Sequence, residues 1–207
     1  MTKGQRTRER LLRAAIDRFG AEGFKATAVS QLSRDAGLTP AASYAYFADK
    51  DAFWKAAVTA DLHSLDAEIR AGALASDRPL YELMAALIRG LRTHPLIRRV
   101  LEEGTPDDLS LVLAHPLFAE TTRVMGERLQ RRAELGALPP ESDPLALARG
   151  IETVLFAMVL SIVRAGFEGD SDRISAVATV LRAAAGGPPT PTEILAAQQT
   201  PGRHGGT

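Results

Sequence analysis

Nowhere in this 207-residue chain do apolar and polar residues alternate as they do along a half-buried strand. Apolar residues recur instead every three or four positions, and proline stands repeatedly where a helix would begin. The pattern predicts an all-α fold. Leu11, Leu12, Ala15 and Phe19 form one stripe of a first helix, with Arg8, Glu9, Arg13, Asp17 and Arg18 on its other faces and Gly23 as a stop. Val29, Leu32 and Ala36 predict a short second helix, with Thr27 as its N-cap and Gly37 ending it in the left-handed conformation. Thr39 followed by Pro40 starts a third helix of about two turns, because Thr caps free amides and Pro at the first helical position loses no hydrogen bond.

From Asp49, read as a cap, a long helix carries Trp54, Val58, Leu62, Leu65 and Ile69 on one side and reaches Gly72. Proline then punctuates segments at about 80–92, 96–103, 108–114 and 117–135. The segment 142–166 opens on Asp143 and Pro144, ends at Gly166, and is apolar on more than one face, so it is expected to pack on its own core and on a partner subunit. A helix at 171–185, with Ile174, Val177 and Leu181, is expected to join that dimer interface. The Gly-, Pro- and Thr-rich tail, 187–207, reads as disordered.

The length suits one large domain, or a small one packed on a larger one. With no cysteine there is neither a disulfide framework nor a thiolate nucleophile. The N-terminus lacks the continuous apolar region of a secretory signal, and the longest apolar run, 154–163, is far shorter than the roughly 20 residues of a membrane span. A cytoplasmic protein with no membrane partner is therefore expected. Net charge is +0 overall, but residues 1–50 hold nine Lys/Arg against five Asp/Glu, an excess of +4 that suits a polyanion-binding head on a neutral body.

Helix, glycine-containing turn and a second helix from Thr39 make a helix-turn-helix, whose second helix enters the DNA major groove. Residues 7–58 carry Ala15, Phe19 and Gly23, then Thr27, then Leu32, Ala36 and Gly37, then Tyr44, Phe47 and Lys50, and in this the chain resembles the TetR-like family of bacterial transcriptional regulators. The resemblance covers roughly the first quarter of the chain. It implies an all-helical homodimer with an N-terminal three-helix DNA-binding unit, here 1–48, and a helical domain, here 49–186, that dimerises and binds a small effector. It also implies the family's usual mode, repression relieved when an effector releases the protein from a palindromic operator.

The stretch 37–47 has no charged side chain. Phosphates, however, are also held by hydroxyls, backbone amides and helix N-termini, while base contacts specify. Thr39 presents a hydroxyl and free amides. Pro40, Ala41 and Ala42 are small enough to bring the backbone close and to touch thymine methyls. The resemblance implies phosphate donation by Tyr44 and Tyr46. Lys50, in the first turn of a helix, opposes the macrodipole, so it reads either as a phosphate ligand or as a solvated lysine offset by Asp49 and Asp51. Thr27 is expected to cap and to touch phosphate, with Ser30 as a further contact. Lys3, Arg6 and Arg8 read as an arm along the DNA or as a frayed terminus. Ala45 and Ser43 depart from the family pattern, which shifts operator choice toward methyl contacts and DNA shape.

For the effector, Leu87, Leu91, Phe118, Met125 and Phe156 are candidates to line an apolar cavity, with His94, Arg98 and His115 near its rim. The plainer reading of each is ordinary core or surface. The four histidines have no metal-ligand spacing, there is no phosphate loop, and Glu102 and Glu103 point apart on a helix, so neither catalysis nor a cofactor or metal is expected. The rival readings are an activator or architectural DNA-binding protein of the same fold, and a helical protein-interaction module.

Overall fold

The computed structural model describes residues 1–72, 79–166 and 171–184. Among them are ten helices and no strand: α1 (Lys3–Ala26), α2 (Val29–Asp35), α3 (Pro40–Tyr44), α4 (Lys50–Gly72), α5 (Pro79–Thr93), α6 (Pro95–Glu103), α7 (Pro106–Leu113), α8 (Pro116–Glu134), α9 (Pro144–Ala165) and α10 (Ser171–Ala184). The tail 187–207 lies outside the described residues.

Six helices, α3, α5, α6, α7, α8 and α9, open on a proline, and among the described residues four of those have a side-chain cap ahead of it: Thr39, Thr105, His115 and Asp143. Asp143 takes the amides of Leu145 and Ala146, at 2.9 and 3.1 Å. Asp49 accepts from the Ala52 amide at 2.7 Å, as its cap position predicts. The second helix departs from expectation. Its cap position is Ala28, whose amide donates to the Gln31 side chain, while the Thr27 hydroxyl is buried and donates to the Gly23 carbonyl at 2.9 Å. Thr27 therefore ties down the end of α1 and does not cap α2.

Gly23 interrupts α1 at φ 81°, which removes the regular partners of the carbonyls one turn back. Arg99 of α6 supplies replacements, donating to the Gly20 and Ala21 carbonyls at 2.8 and 2.9 Å. A side chain at Gly20 would stand 3.0 Å from the Leu96 backbone, so α1 and α6 touch almost backbone to backbone. The first helix thus sits directly on α6, with α2 and α3 carried on it and on each other.

In the N-terminal unit Leu11, Ala15, Phe19, Leu32 and Phe47 are buried, with Leu38 partly so. Its core also draws on α4: Trp54 meets Phe19 edge-on at 5.1 Å and Phe53 packs on Phe47 at 4.1 Å. Further along α4, Val58, Leu62, Leu65 and Ile69 face the body, so one helix serves both cores. The body is built around α8 and α9, covered by α5, α6 and α10. Taken whole, α9 is long and apolar enough by composition to cross a membrane, which the run 154–163 alone is not. Its Ile151, Leu155, Met158, Val159 and Ile162 are buried within the protein.

Candidate functional site

The Leu38 amide bonds back to the Ser33 carbonyl at 2.8 Å, and Gly37 takes φ 68°. This turn sets α3 against α2. The helix is shorter than the two turns expected, five residues, although Tyr46 and Phe47 continue its hydrogen bonding to Ser43 as a turn. Ser43 and Phe47 point inward, which leaves Thr39, Pro40, Ala41 and Tyr44 exposed on the opposite side. The Thr39 hydroxyl accepts from the Ala42 amide at 3.2 Å, and Ala42 is half-buried. Tyr44, 52% exposed, is the largest side chain on this edge.

Tyr46 is half-buried, with its hydroxyl beside Gly4 in the first turn of α1. Ser30 is exposed on the first turn of α2. Thr27 is brought to the same region, but at 1% exposure its hydroxyl faces inward. The ammonium of Lys50 lies 4.4 Å from the Phe24 ring, a packing partner that neither reading of this lysine included. The basic N-terminal segment is helical from Lys3, capped by Thr2, and Arg8 lies over the Phe47 ring at 5.3 Å. It is thus the first turns of α1 and neither a loose arm nor a frayed end.

Between α4, α5, α6, α8 and α9 lies an apolar cavity of about 70 Å³. Leu87, Leu91, Phe118 and Phe156 border it, as expected, the last two edge-on at 5.9 Å. The other four candidates do not. Met125 is buried elsewhere on α8. Arg98 pairs with Glu102 at 2.7 Å, one turn on along α6. His115, buried, caps α8 by accepting from the Leu117 amide and meets His63 edge-on. Desolvation, with the neighbouring His63 charge, lowers its pKa from the ordinary imidazole value.

His94 is buried as well and bonds through Nδ1 to Asp61 at 2.7 Å, with Glu68 at 3.4 Å from Nε2. The Asp61 hydrogen bond is the main cause that raises its pKa; desolvation opposes this and the charges of Asp61 and Glu68 assist. The second Asp61 oxygen accepts from the Ile97 amide at 3.3 Å, so this carboxylate from α4 holds the first turn of α6.

Sequence reasoning missed Asp61, Arg99, Thr121 and Glu152. The last two are polar side chains in the cavity wall. The available signal was a polar residue on an apolar stripe, as in Asp61 between Val58 and Leu62.

A short exposed helix after a glycine turn, carried on a three-helix unit, defines a helix-turn-helix protein of the regulatory class. Residues 11–57 match the family model for bacterial regulatory proteins, tetR family. Over 194 residues the chain is 26% identical to YdgC of Bacillus subtilis strain 168, an uncharacterized HTH-type transcriptional regulator, spanning 87% of this chain and 93% of that protein. Its fold is similar to that of FadR, the fatty acid degradation regulator of Bacillus halodurans, with a TM-score of 0.64, 18% identity, and 89% and 96% of the two chains covered. It is also similar to SmeT in complex with triclosan, with a TM-score of 0.61, 23% identity, and 86% and 91% covered. SmeT is the repressor of the Stenotrophomonas maltophilia multidrug efflux pump SmeDEF. Residues 11–57 are thus those of the bacterial regulatory proteins of the tetR family, and the fold of the whole chain is similar to that of such transcriptional regulators.

Proposed function

We propose that this regulator is a dimeric repressor that leaves a palindromic operator when a small effector enters the body. Residues 1–48 serve as the DNA-reading unit and 49–186 as the effector-binding and dimerising one. The observation that carries the reading is the edge of α3, where Thr39, Pro40, Ala41 and Tyr44 are exposed while Ser43 and Phe47 anchor the helix from behind. On this reading Tyr44, Tyr46, Ser30 and Lys50 hold phosphates, and Pro40, Ala41 and Ala42 touch the base edges. Thr27 is not assigned a hydroxyl contact, because that hydroxyl is bonded to Gly23.

Dimerisation is supported by the outer faces of α9 and α10, where Leu145, Val154 and Val180 are exposed. A cavity of about 70 Å³ is small against the roughly 300–1,000 Å³ of typical ligand pockets, so an effector of ordinary size must spread its walls. Ile97 and Leu101 of α6 border the cavity, and Arg99 of the same helix grips α1. Spreading therefore pushes on the head, with a coupling on the order of 1–3 kcal/mol.

The test is binding to double-stranded DNA fragments across a salt series, with Tyr44→Phe and Lys50→Ala beside the parent protein. Each variant is expected to bind several-fold more weakly on all sequences, with folding and dimerisation intact, and Lys50→Ala to flatten the salt slope by about one. Unchanged affinity in both variants would remove the phosphate assignments.

A further inference from the structure

Two arginine joints of the same kind stand in series across α6. At the first, Arg99 of α6 donates to the Gly20 and Ala21 carbonyls, which the break at Gly23 frees in α1. At the second, Arg164 of α9 donates through Nε to the Leu101 carbonyl of α6, 63 residues away, at 2.7 Å. Leu101 lies near the end of α6, where carbonyls lack a partner within the helix and the macrodipole favours a cation. The last turn of α6 has no basic residue and carries Glu102 and Glu103, so α9 supplies the cation that this helix end lacks. Arg164 is itself exposed, about two turns on from exposed Ala157 and about three from exposed Val154, on the outer face of α9 that the dimer reading assigns to a second copy.

We infer that Arg164 is a positioning residue for operator binding: by holding α6 to the dimer-facing helix α9, it fixes the angle at which each head is presented and so the half-site spacing that the dimer accepts. The inference rests on the reading of the protein as a dimer through α9 that binds a palindrome. The helix α4 joins head to body as a single rod, and a rod alone lets the head swing; the contact of α1 with α6 holds it from a second side. There Gly20 lies so near the Leu96 backbone that α1 follows α6 closely. In turn α6 is held near its start by Asp61 of α4, through the Ile97 amide, and near its end by Arg164. Loss of the Arg164 bond frees the turn that carries Arg99, and with it the grip on the head. Once one head is bound, the other binds the same duplex as an intramolecular step, whose effective concentration is highest when the heads stand as far apart as the half-sites and falls when they swing. Arg164 therefore acts on two-headed binding and not on the contact of one head with one half-site.

The test uses the full-length protein. Because the chain has no cysteine, Glu9→Cys, at an exposed position of α1, gives one spin label per head, and the distance between labels in the free dimer is measured with and without Arg164→Met. The parent is expected to give one narrow distribution and Arg164→Met a clearly broader one. In binding, the palindrome that the parent selects from random duplex DNA is compared with a single half-site and with palindromes of altered spacing. Arg164→Met is expected to bind the palindrome about tenfold more weakly, to keep half-site affinity within about twofold, and to discriminate less between spacings. Arg164→Lys, which keeps a donor and the charge, is expected to restore most of the loss. If Arg164→Met does not fold as a dimer, Arg164→Lys is read in its place and is expected to show the same pattern to a smaller degree. An unchanged label distribution or an unchanged spacing preference overturns the inference, as does equal weakening on palindrome and half-site. A parent that is monomeric, or that selects no palindrome, overturns the dimeric-operator reading and the inference with it.

Discussion

In the head, Phe19, Phe24 and Trp54 form a closed aromatic set with ring separations of 5.1 to 6.1 Å, and Leu11, Ala15, Phe19 and Leu32 have no measurable exposure. In the body, the helices leave a cavity of about 70 Å³ and a buried Thr121 hydroxyl without a partner among the described residues. One region is packed so that the short exposed helix α3 is held in a single place; the other keeps unused space and, among the described residues, an unmet hydrogen bond. Close packing transmits displacement, whereas a cavity can absorb or create it. The two regions meet at α6, which borders the cavity and packs on α1, and the proposed release from DNA would pass through it.

Four substitutions would break or sharpen this contrast. The largest effect is expected from Phe19→Ala, which opens a void in the closed core and should cost about 4 kcal/mol in denaturant unfolding. A cost near that of a surface change would mean that the head is not closed.

Asp61→Asn removes the charge that holds His94 and the first turn of α6, at about 3 kcal/mol at low pH. Its pH dependence has a definite sign. His94 is raised in the folded protein, so the stability it gains from Asp61 is complete below the ordinary imidazole value of ~6.5 and is lost as pH rises through the higher folded value. The difference in unfolding free energy between parent and Asp61→Asn should therefore shrink from about pH 6 to about pH 9. A difference that grows with pH would contradict the raised assignment.

Arg99→Met keeps the length of the side chain but leaves the Gly20 and Ala21 carbonyls without its two hydrogen bonds. A loss of about 1–2 kcal/mol is expected, with faster amide exchange at the end of α1. Thr121→Val is the smallest and has the opposite sign. Replacing an unpartnered buried hydroxyl with a methyl should leave stability unchanged or raise it by up to about 1 kcal/mol, read from thermal unfolding. Marked destabilisation would show that the hydroxyl has a partner after all.

These regions also differ in how far they could be read from sequence. The head is specified by neighbours in the chain: Thr39 before Pro40 starts α3, Gly37 turns before it, and Asp49 caps α4, all within reach of a local pattern. Its one error of capping, Thr27, arose because the hydroxyl had two backbone groups in range and the break at Gly23 freed a carbonyl that competes for it. In the body, helix boundaries were equally local, and the prolines marked most of them; α7 starts at Pro106, two residues early, because Thr105 caps it. Which side chain meets which was not local. His94 stands next to a proline at a helix start, which reads as a rim position, yet Asp61, 33 residues earlier, draws it inside. Leu87, Leu91, Phe118 and Phe156 came together because apolar stripes must face one another, but the hydrogen bond from Thr122 to Glu152 depends on how α8 meets α9. No periodicity encodes that meeting.

The most direct test of the account is selection of bound fragments from random double-stranded DNA by the purified protein at near-physiological salt. Enrichment of a palindrome whose half-sites lie in successive major grooves, about 10 base pairs apart or a multiple of that, is the predicted result. No enrichment by a protein shown to be folded and dimeric, with no effector added, would contradict the claim that the exposed edge of α3 reads an operator.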